Sequence, residues 1–181
     1  KKQLNILIKQ NDSNKTSESQ LLQQGLKAVK NKKYHKALEI IKPLAEKLKL
    51  SVENRNADVQ LLLGILYNHG GGIPQDYKEA VKWYRLAAEQ GNALAQSNLG
   101  LMYGKGQGVP QDYKEAVKWF RLSAEQGNAL AQSNLGLMYT EGQRVLQDYA
   151  LAHMWFNLCG SSGDKDCIKN RNIIEKKMSK S

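Results

Sequence analysis

"ALAQSNLGLMYGKGQGVPQDYKEAVKWFRLSAEQGN", residues 93 to 128, occurs along the chain in three related forms, each 36 residues long. The stretch ALAQSNLGLMY returns unchanged at 129 to 139, and PQDYKEAVKW at 110 to 119 is also present at 74 to 83. Long matches at a constant spacing identify an internal repeat, and a period of this size is typical of stacked repeat proteins. The sequence therefore predicts three units, at 57 to 92, 93 to 128 and 129 to 164.

Each unit is predicted to form two antiparallel helices joined by a glycine-rich turn. In the middle unit, Ala95 and Leu99 fall on one stripe of the first helix, and Gly100 at its edge lets a neighbouring helix approach closely. Asp112 is predicted to cap the second helix, with Glu115 three residues later as in a capping box. The apolar face of that second helix consists of Ala116, Trp119, Phe120 and Ala124.

The string HGGG at 69 to 72 raises the possibility of catalysis, because some lipases and esterases build an oxyanion hole from it. The equivalent turns of the other units keep glycines but lack the histidine, and no Gly-x-Ser-x-Gly nucleophile motif occurs in the chain. His35, His69 and His153 stand at non-equivalent positions of the repeats. We therefore expect the turn glycines at 70, 72, 106, 108 and 142 to supply positive-φ positions, and we predict no catalytic residue, cofactor or metal site.

A Leu-Gly pair followed by Tyr recurs in the first helices, and Asp-Tyr-x-x-Ala-x-x-Trp recurs in the second helices of all three units. With the Gly-x-Gly-Val turn, this pattern resembles the Sel1-like repeat, a relative of the tetratricopeptide repeat. The resemblance implies an all-α solenoid of stacked antiparallel helix pairs, and it does not name a ligand. The matching residues are Leu63, Gly64 and Tyr67; Leu99, Gly100 and Tyr103; Leu135, Gly136 and Tyr139; and Trp83, Trp119 and Trp155.

Residues 21 to 56 are interpreted as a degenerate first repeat plus a linker, closer to a tetratricopeptide unit. Gly25, Tyr34, Ala37 and Leu38 hold the helix-pair positions. Pro43 lies inside the second helical pattern, so a kink or a break is expected there. Residues 1 to 20 are a polar leader in which a short strand over LNILI and a disordered segment are both open.

The third unit departs from the pattern at its outer helix, where ALAHMWFNLCGSSGD replaces a charged segment. This less polar helix is predicted to pack under a C-terminal capping helix within residues 165 to 181. Ile168, Ile173 and Ile174 are expected to cover the last repeat, while Lys169 and Lys177 face water. Repeat arrays need such a polar-faced cap for solubility.

Cys159 and Cys167 take the positions of small residues in the other units, where two helices meet. The register suits the short span of a disulfide. The same spacing resembles the bridge in each unit of secreted cysteine-rich Sel1-like proteins of bacteria. A disulfide is expected, with two buried thiols as the alternative. Together with the absence of an initiator Met, it favours a periplasmic or secreted location, and a cytoplasmic one if the thiols are reduced.

The net charge of +10 is unevenly distributed. Residues 1 to 56 carry 13 basic and 5 acidic groups, whereas residues 57 to 164 carry 8 and 10. The repeats that would form a binding groove are therefore slightly acidic, which argues against nucleic acid. An acidic protein partner or an anionic surface remains open.

The first helices of the units carry leucines and amides on the side opposite their packing stripe. Because first helices line the concave surface of a solenoid, this side is predicted to bind a protein or peptide. The chain is accordingly interpreted as a non-enzymatic adaptor or scaffold, with a periplasmic immunity protein against a toxic effector as one form. The alternative is a cell-wall or peptidoglycan binder, or a weakly β-lactam-active protein, like the cysteine-rich relatives. The candidate partner-binding residues are Asp58, Leu61, Leu62, Ile65, Leu94, Asn98, Leu101, Lys105, Leu130, Asn134, Leu137 and Glu141.

Overall fold

A computed structural model describes residues 19–50, 56–70, 73–142 and 146–179, and all regular structure in these ranges is helical. The residues divide into two compact units, Lys1–Trp83 and Tyr84–Ser181, with the boundary inside the fourth helix. The LNILI segment lies outside the described residues. The helices are α1 (19–30), α2 (Tyr34–Leu50), α3 (Ala57–His69), α4 (Tyr77–Glu89), α5 (Ala93–Lys105), α6 (Tyr113–Glu125), α7 (Ala129–Glu141), α8 (Tyr149–Ser161) and α9 (Lys165–Met178).

The N-terminal unit packs α1, α2 and α3 around an aliphatic core. Gly25 belongs to the packing surface of α1, because a Cβ placed there would meet Ile41 Cγ2 at 2.8 Å and Leu62 Cδ1 at 3.2 Å. The expected break at Pro43 does not occur, since α2 continues through it to Leu50. The described core residues are Leu22, Ala28, Ala37, Ile41, Val59, Leu62, Leu63 and Leu66.

Polar residues of the repeat motif hold the turns between paired helices. Gly70, Gly106 and Gly142 cap α3, α5 and α7 with φ values of 68°, 67° and 61°, so the positive-φ prediction is confirmed at these positions. A φ in this range is costly for a residue with a Cβ. Asp112 then begins α6, and its carboxylate accepts from the backbone N–H groups of Lys114 and Glu115.

A glutamine between the two caps makes a bond that the sequence alone did not predict. Gln111 Nε2 donates to the carbonyl oxygen of Gly104 at 2.8 Å. Gln75 and Gln147 make the equivalent bond to residues 68 and 140. The glutamine thereby satisfies a carbonyl in the last turn of the first helix, which lacks a partner within its own helix.

The C-terminal unit is a stack in which α6 packs against both α5 and α7, and α8 packs against both α7 and α9. Gly100 and Gly136 make these contacts close, because a Cβ at Gly136 would lie 2.6 Å from the ring of Phe156 and one at Gly100 2.8 Å from Phe120. Both glycines therefore allow an aromatic ring of the second helix to lie directly on the first.

Side chains at equivalent positions also link successive repeats. Arg121 on α6 donates to the Tyr139 hydroxyl on α7 at 2.8 Å, and Arg85 on α4 donates to Tyr103 on α5 at 2.6 Å. Gln132 Nε2 donates to the Ala124 carbonyl at 3.0 Å in the turn between α6 and α7. Each of these bonds joins one repeat to the next, so polar contacts as well as the core fix how successive repeats are aligned.

The C-terminal cap is the predicted helix, and it is covalently attached. Cys159 on α8 and Cys167 on α9 form a disulfide with a Cα–Cα distance of 5.8 Å, and both residues are buried. Ile174 is buried against α8, as expected, and Ile168 lies over Gly160. The expectation for Ile173 is not met, since it is 44% exposed; it lies about 100° around the helix from the buried Ile174.

Candidate protein-binding face

Two helices of the C-terminal unit carry leucines on their solvent-facing side. Leu94 on α5 and Leu130 on α7 occupy the same repeat position and are 55% and 54% exposed, while Leu137 is 41% exposed. Leu101, the equivalent of Leu137, is half-buried and packs against the core. We call this surface the leucine face; its residues are Leu94, Asn98, Leu101, Lys105, Leu130, Asn134, Leu137 and Glu141.

Local sequence sets the direction of the leucine face. Asn92 caps α5 and Asn128 caps α7, each accepting from the backbone N–H three residues on at 2.9 Å. Because the caps start both helices at the same repeat position, the same residues point inward in each. Leu99 and Leu135 are fully buried on the packed side. The exposed positions, spaced by three and four residues, therefore share one side of each helix.

The amides and charged ends of the leucine face differ between the two helices. Asn134 Nδ2 donates to the Leu130 carbonyl in its own helix at 2.8 Å, whereas Asn98 makes no such bond within the described residues. Lys105 at the end of α5 corresponds to Glu141 at the end of α7, and both are exposed. The face thus begins with an exposed leucine at the N-terminal end of each helix and carries opposite charges at the C-terminal ends.

The four candidate residues of the first repeat belong to the N-terminal unit and do not form an equivalent surface. Leu61 and Leu62 are buried, and Leu62 is part of the aliphatic core. The expectation that leucines on this side are not needed for the core is wrong for these two. Ile65 is half-buried and Asp58 exposed. The leucine face is therefore confined to α5 and α7.

A second row of exposed leucines was missed in the sequence. Leu86, Leu122 and Leu158 stand 36 residues apart near the ends of α4, α6 and α8, and they are 45%, 40% and 44% exposed. Their constant spacing was the available signal. The charged residues of the second helices are the more conspicuous feature of their sequence. On α4, for example, Lys82 donates a hydrogen bond to Glu79, and this bond raises the pKa of Lys82.

The histidine of the HGGG string is the last residue of α3 and makes contacts that are structural. His69 Nδ1 lies 3.0 Å from the Ile65 carbonyl, and its ring stacks on Tyr34 with centroids 4.6 Å apart. Gly70 then caps the helix through its N–H to the Leu66 carbonyl. Gly71 and Gly72 lie outside the described residues. These contacts support the interpretation of the string as a turn.

Three groups of the kind that bind metal ions meet at the C-terminal cap. The Sγ atoms of Cys159 and Cys167 and a carboxylate oxygen of Asp164 lie within 4.8 Å of one another. The two sulfurs are bonded to each other, so neither is a thiolate ligand. Asp164 accepts from the Cys167 N–H at 2.9 Å as the N-cap of α9. The cluster is therefore structural as it stands.

Helix pairs of equal length, joined by the same caps and stacked through the same side chains, define an all-α repeat protein of the solenoid class. The Sel1 repeat family profile matches residues 57–92, 93–128 and 129–164, and the chain belongs to the Sel1 repeat family. Sel1 repeats generally serve as protein-interaction modules and are typically non-catalytic scaffolds. No curated protein is similar enough to this chain to count as a match.

Solved bacterial structures share the fold. A Sel1 repeat protein from Oxalobacter formigenes is 34% identical, with a TM-score of 0.72, over 84% of this chain and 58% of that one. A protective antigen present in uropathogenic Escherichia coli strains, displaying an SLR fold, is 36% identical, with a TM-score of 0.69, over 86% and 32%. A putative Sel1 repeat protein from Klebsiella pneumoniae, 20% identical with a TM-score of 0.52, covers 86% and 76% and shows the fold alone.

The chain spans just over half the length of the first of these relatives and about a third of the second. None of the described helices is long and apolar enough to cross a membrane. The buried disulfide is compatible with an oxidising compartment.

Proposed function

We propose that the protein binds a protein or peptide through the leucine face of α5 and α7. The observation that carries the proposal is the repeated exposure of leucine at one helical position, with Leu94 and Leu130 each more than half exposed. Apolar side chains grouped on a surface and flanked by amides are typical of interaction sites. Apolar surface is unfavourable in water, so covering the leucines with a partner lowers the free energy of the system.

The proposed role is that of an adaptor or scaffold. An immunity protein that blocks a toxic effector is one form of such a module. The disulfide between α8 and α9 supports a periplasmic or secreted location, because cysteines are kept reduced in most cytoplasms. No residue grouping among the described residues favours the cell-wall alternative, so it enters only as an outcome of the test.

The test replaces exposed leucines only. We predict that Leu94→Glu/Leu130→Glu/Leu137→Glu abolishes capture of the partner while leaving the melting temperature nearly unchanged, because charges on an exposed face cost little folding free energy but cannot be buried in a complex. Leu101 is left unchanged since it packs against the core. Wild type and variant are used as baits for the envelope fraction, and the affinity of the recovered protein is then measured by calorimetry.

The matched control is Leu86→Glu/Leu122→Glu/Leu158→Glu, with the same chemistry on the second helices. We expect it to retain wild-type affinity. If the control loses the partner and the first variant keeps it, the second-helix row is the binding site. Recovery of muropeptides by all three baits, with no protein, would replace the proposal with the cell-wall alternative.

A further inference from the structure

A groove in the N-terminal unit lies between α1 and α2, and none of the residues that line it belongs to the leucine face. Its volume is 280 Å³. Gln24, Lys27, Ala28 and Asn31 follow one side of α1 at spacings of three and four residues. Lys33, Lys36 and Ile40 line it from the following turn and α2, where Lys36 and Ile40 are also four residues apart. Each helix thus contributes one continuous side. We call this site the lysine groove.

The floor of the groove is apolar and its rim is positively charged. Ala28 is buried, and Ile40 is half-buried against the aliphatic core. Lys27, Lys33 and Lys36 are exposed, and none of them forms an ion pair with a described residue. Among the described residues, no carboxylate lines the groove.

The neighbouring sequence does not neutralise this charge. Residues 19 to 41 contain five lysines and a single acidic residue, Glu39. The Glu39 carboxylate lies 3.5 Å from His35 Nε2, on a side of α2 that does not line the groove. Several like charges around an apolar depression create a local positive potential, which attracts anionic ligands.

The turn between the helices brings one of the lysines into position. Lys32 N–H donates to the Val29 carbonyl at 2.8 Å, and Lys33 N–H donates to the Ala28 carbonyl at 2.9 Å. Lys32 adopts φ 56°, the left-handed conformation that this helix-ending motif requires. The second bond ties the backbone of Lys33 to the residue that forms the floor, and Lys33 is one of the residues that line the groove.

We propose that the lysine groove binds an acidic peptide segment of a partner protein, with an apolar side chain on the floor and carboxylates against Lys27, Lys33 and Lys36. A small free anion is a poorer match, because the lysines are exposed point charges around an apolar floor and no buried donor converges on one point. Gln24 and Asn31 can hydrogen-bond the backbone of a peptide. The groove and the leucine face share no residue, so either proposal can fail without the other.

The test uses the full chain and a fluorescein-labelled peptide, Gly-Glu-Asp-Leu-Glu-Glu-Gly, followed by fluorescence anisotropy. Lys27→Gln/Lys33→Gln/Lys36→Gln should weaken binding at least about tenfold, since each exposed ion pair contributes modestly and three are removed together. The matched control, Lys114→Gln/Lys169→Gln/Lys176→Gln, removes the same charge at exposed positions of the C-terminal unit and should stay within about twofold of wild type. Circular dichroism melts confirm that each variant folds.

Two further probes separate the peptide from other anions. Replacing the peptide leucine by serine should weaken binding at least about threefold because the floor is apolar. The Ile40 δ-methyl resonance should shift on addition of the leucine peptide. The proposal is overturned if the wild type does not bind the peptide, if the control loses as much affinity as the groove variant, or if the serine peptide binds equally well. Binding only to inorganic phosphate or to phosphatidylglycerol vesicles would overturn it too.

Discussion

Lys32 holds a backbone conformation that glycine holds at the corresponding turns of the repeats. Gly127 has φ 87°, and the turn that contains it makes the same pair of hydrogen bonds, from Gly127 N–H to the Ala124 carbonyl and from Asn128 N–H to the Ser123 carbonyl. A residue with a Cβ is less stable in this region than glycine. The first helix pair therefore accepts a local backbone cost that the glycines avoid in the later turns.

We predict that Lys32→Gly raises the free energy of unfolding by about 1 kcal/mol, because it relieves the left-handed conformation without removing a packed side chain. Chemical denaturation of both proteins measures the difference. Lys32 does not line the groove, so peptide binding should be nearly unchanged.

The reciprocal substitution is Gly127→Ala. A Cβ there meets no atom within 4 Å, so only the backbone conformation changes in cost, and a loss of about 1 kcal/mol is expected. Equal stability of the alanine variant and the wild type would show that the conformation carries no cost in this turn.

At the scale of the helices, much of the fold could be predicted because local signals agree. The repeat period, the Asp112 cap and the turn glycines each indicate the same helix boundaries, and the structure has them there. The role of Gln111 was not predicted, because its partner is a backbone carbonyl seven residues earlier. The sequence does not show which polar side chain of a turn forms such a bond.

The candidate site was predicted only in part, because the burial of a side chain depends on contacts between helices. Leu62 and Asn98 occupy the same repeat position, yet Leu62 is fully buried and Asn98 is half-buried. Helical spacing says which residues share a side, but burial depends on which neighbour covers it. The lysine groove was missed for the same reason, since it exists only where α1 and α2 meet.

The disulfide between α8 and α9 holds the C-terminal cap to the last repeat. Cys159→Ala/Cys167→Ala should lower the free energy of unfolding by about 2.5 kcal/mol, because the unfolded chain regains the entropy of a small closed loop. Alanine occupies the position of Cys167 in the two preceding units, at Ala95 and Ala131, so packing changes little.

Denaturation with and without reductant measures the effect. The wild type should weaken on reduction, while the alanine variant should not respond. Alkylation of both thiols in the unreduced native protein would contradict the disulfide.

For the whole molecule, the two compact units differ in what fills them. Phe120, Tyr139, Trp155 and Phe156 are buried in the C-terminal unit, whereas the described buried core of the N-terminal unit is aliphatic. Aromatic side chains bury more apolar area, and the disulfide adds to the stability of the C-terminal unit. Because contacts in a repeat protein are between neighbours, its parts need not unfold together.

We therefore predict slower amide hydrogen exchange in α6, α7 and α8 than in α1 and α2. Native-state exchange followed by mass spectrometry, with peptides that separate these helices, measures it. Reduction of the disulfide should speed exchange in α8 and α9 first. Uniform protection across all of these helices would show that the molecule opens as a single cooperative body.

The turn glutamine forms its hydrogen bond within its own repeat. The arginine and a second glutamine bond to equivalent partners where the first repeat meets the second and where the second meets the third. An array of such copies can therefore grow in its middle, whereas the third copy, with Asn157 at the position of Arg121, ends against α9. Identical stretches such as ALAQSNLGLMY offer places where recombination can duplicate or delete one copy without disturbing a cap or a junction. Such a chain can change length between generations in steps of one repeat, and each added copy extends the leucine face by one helix.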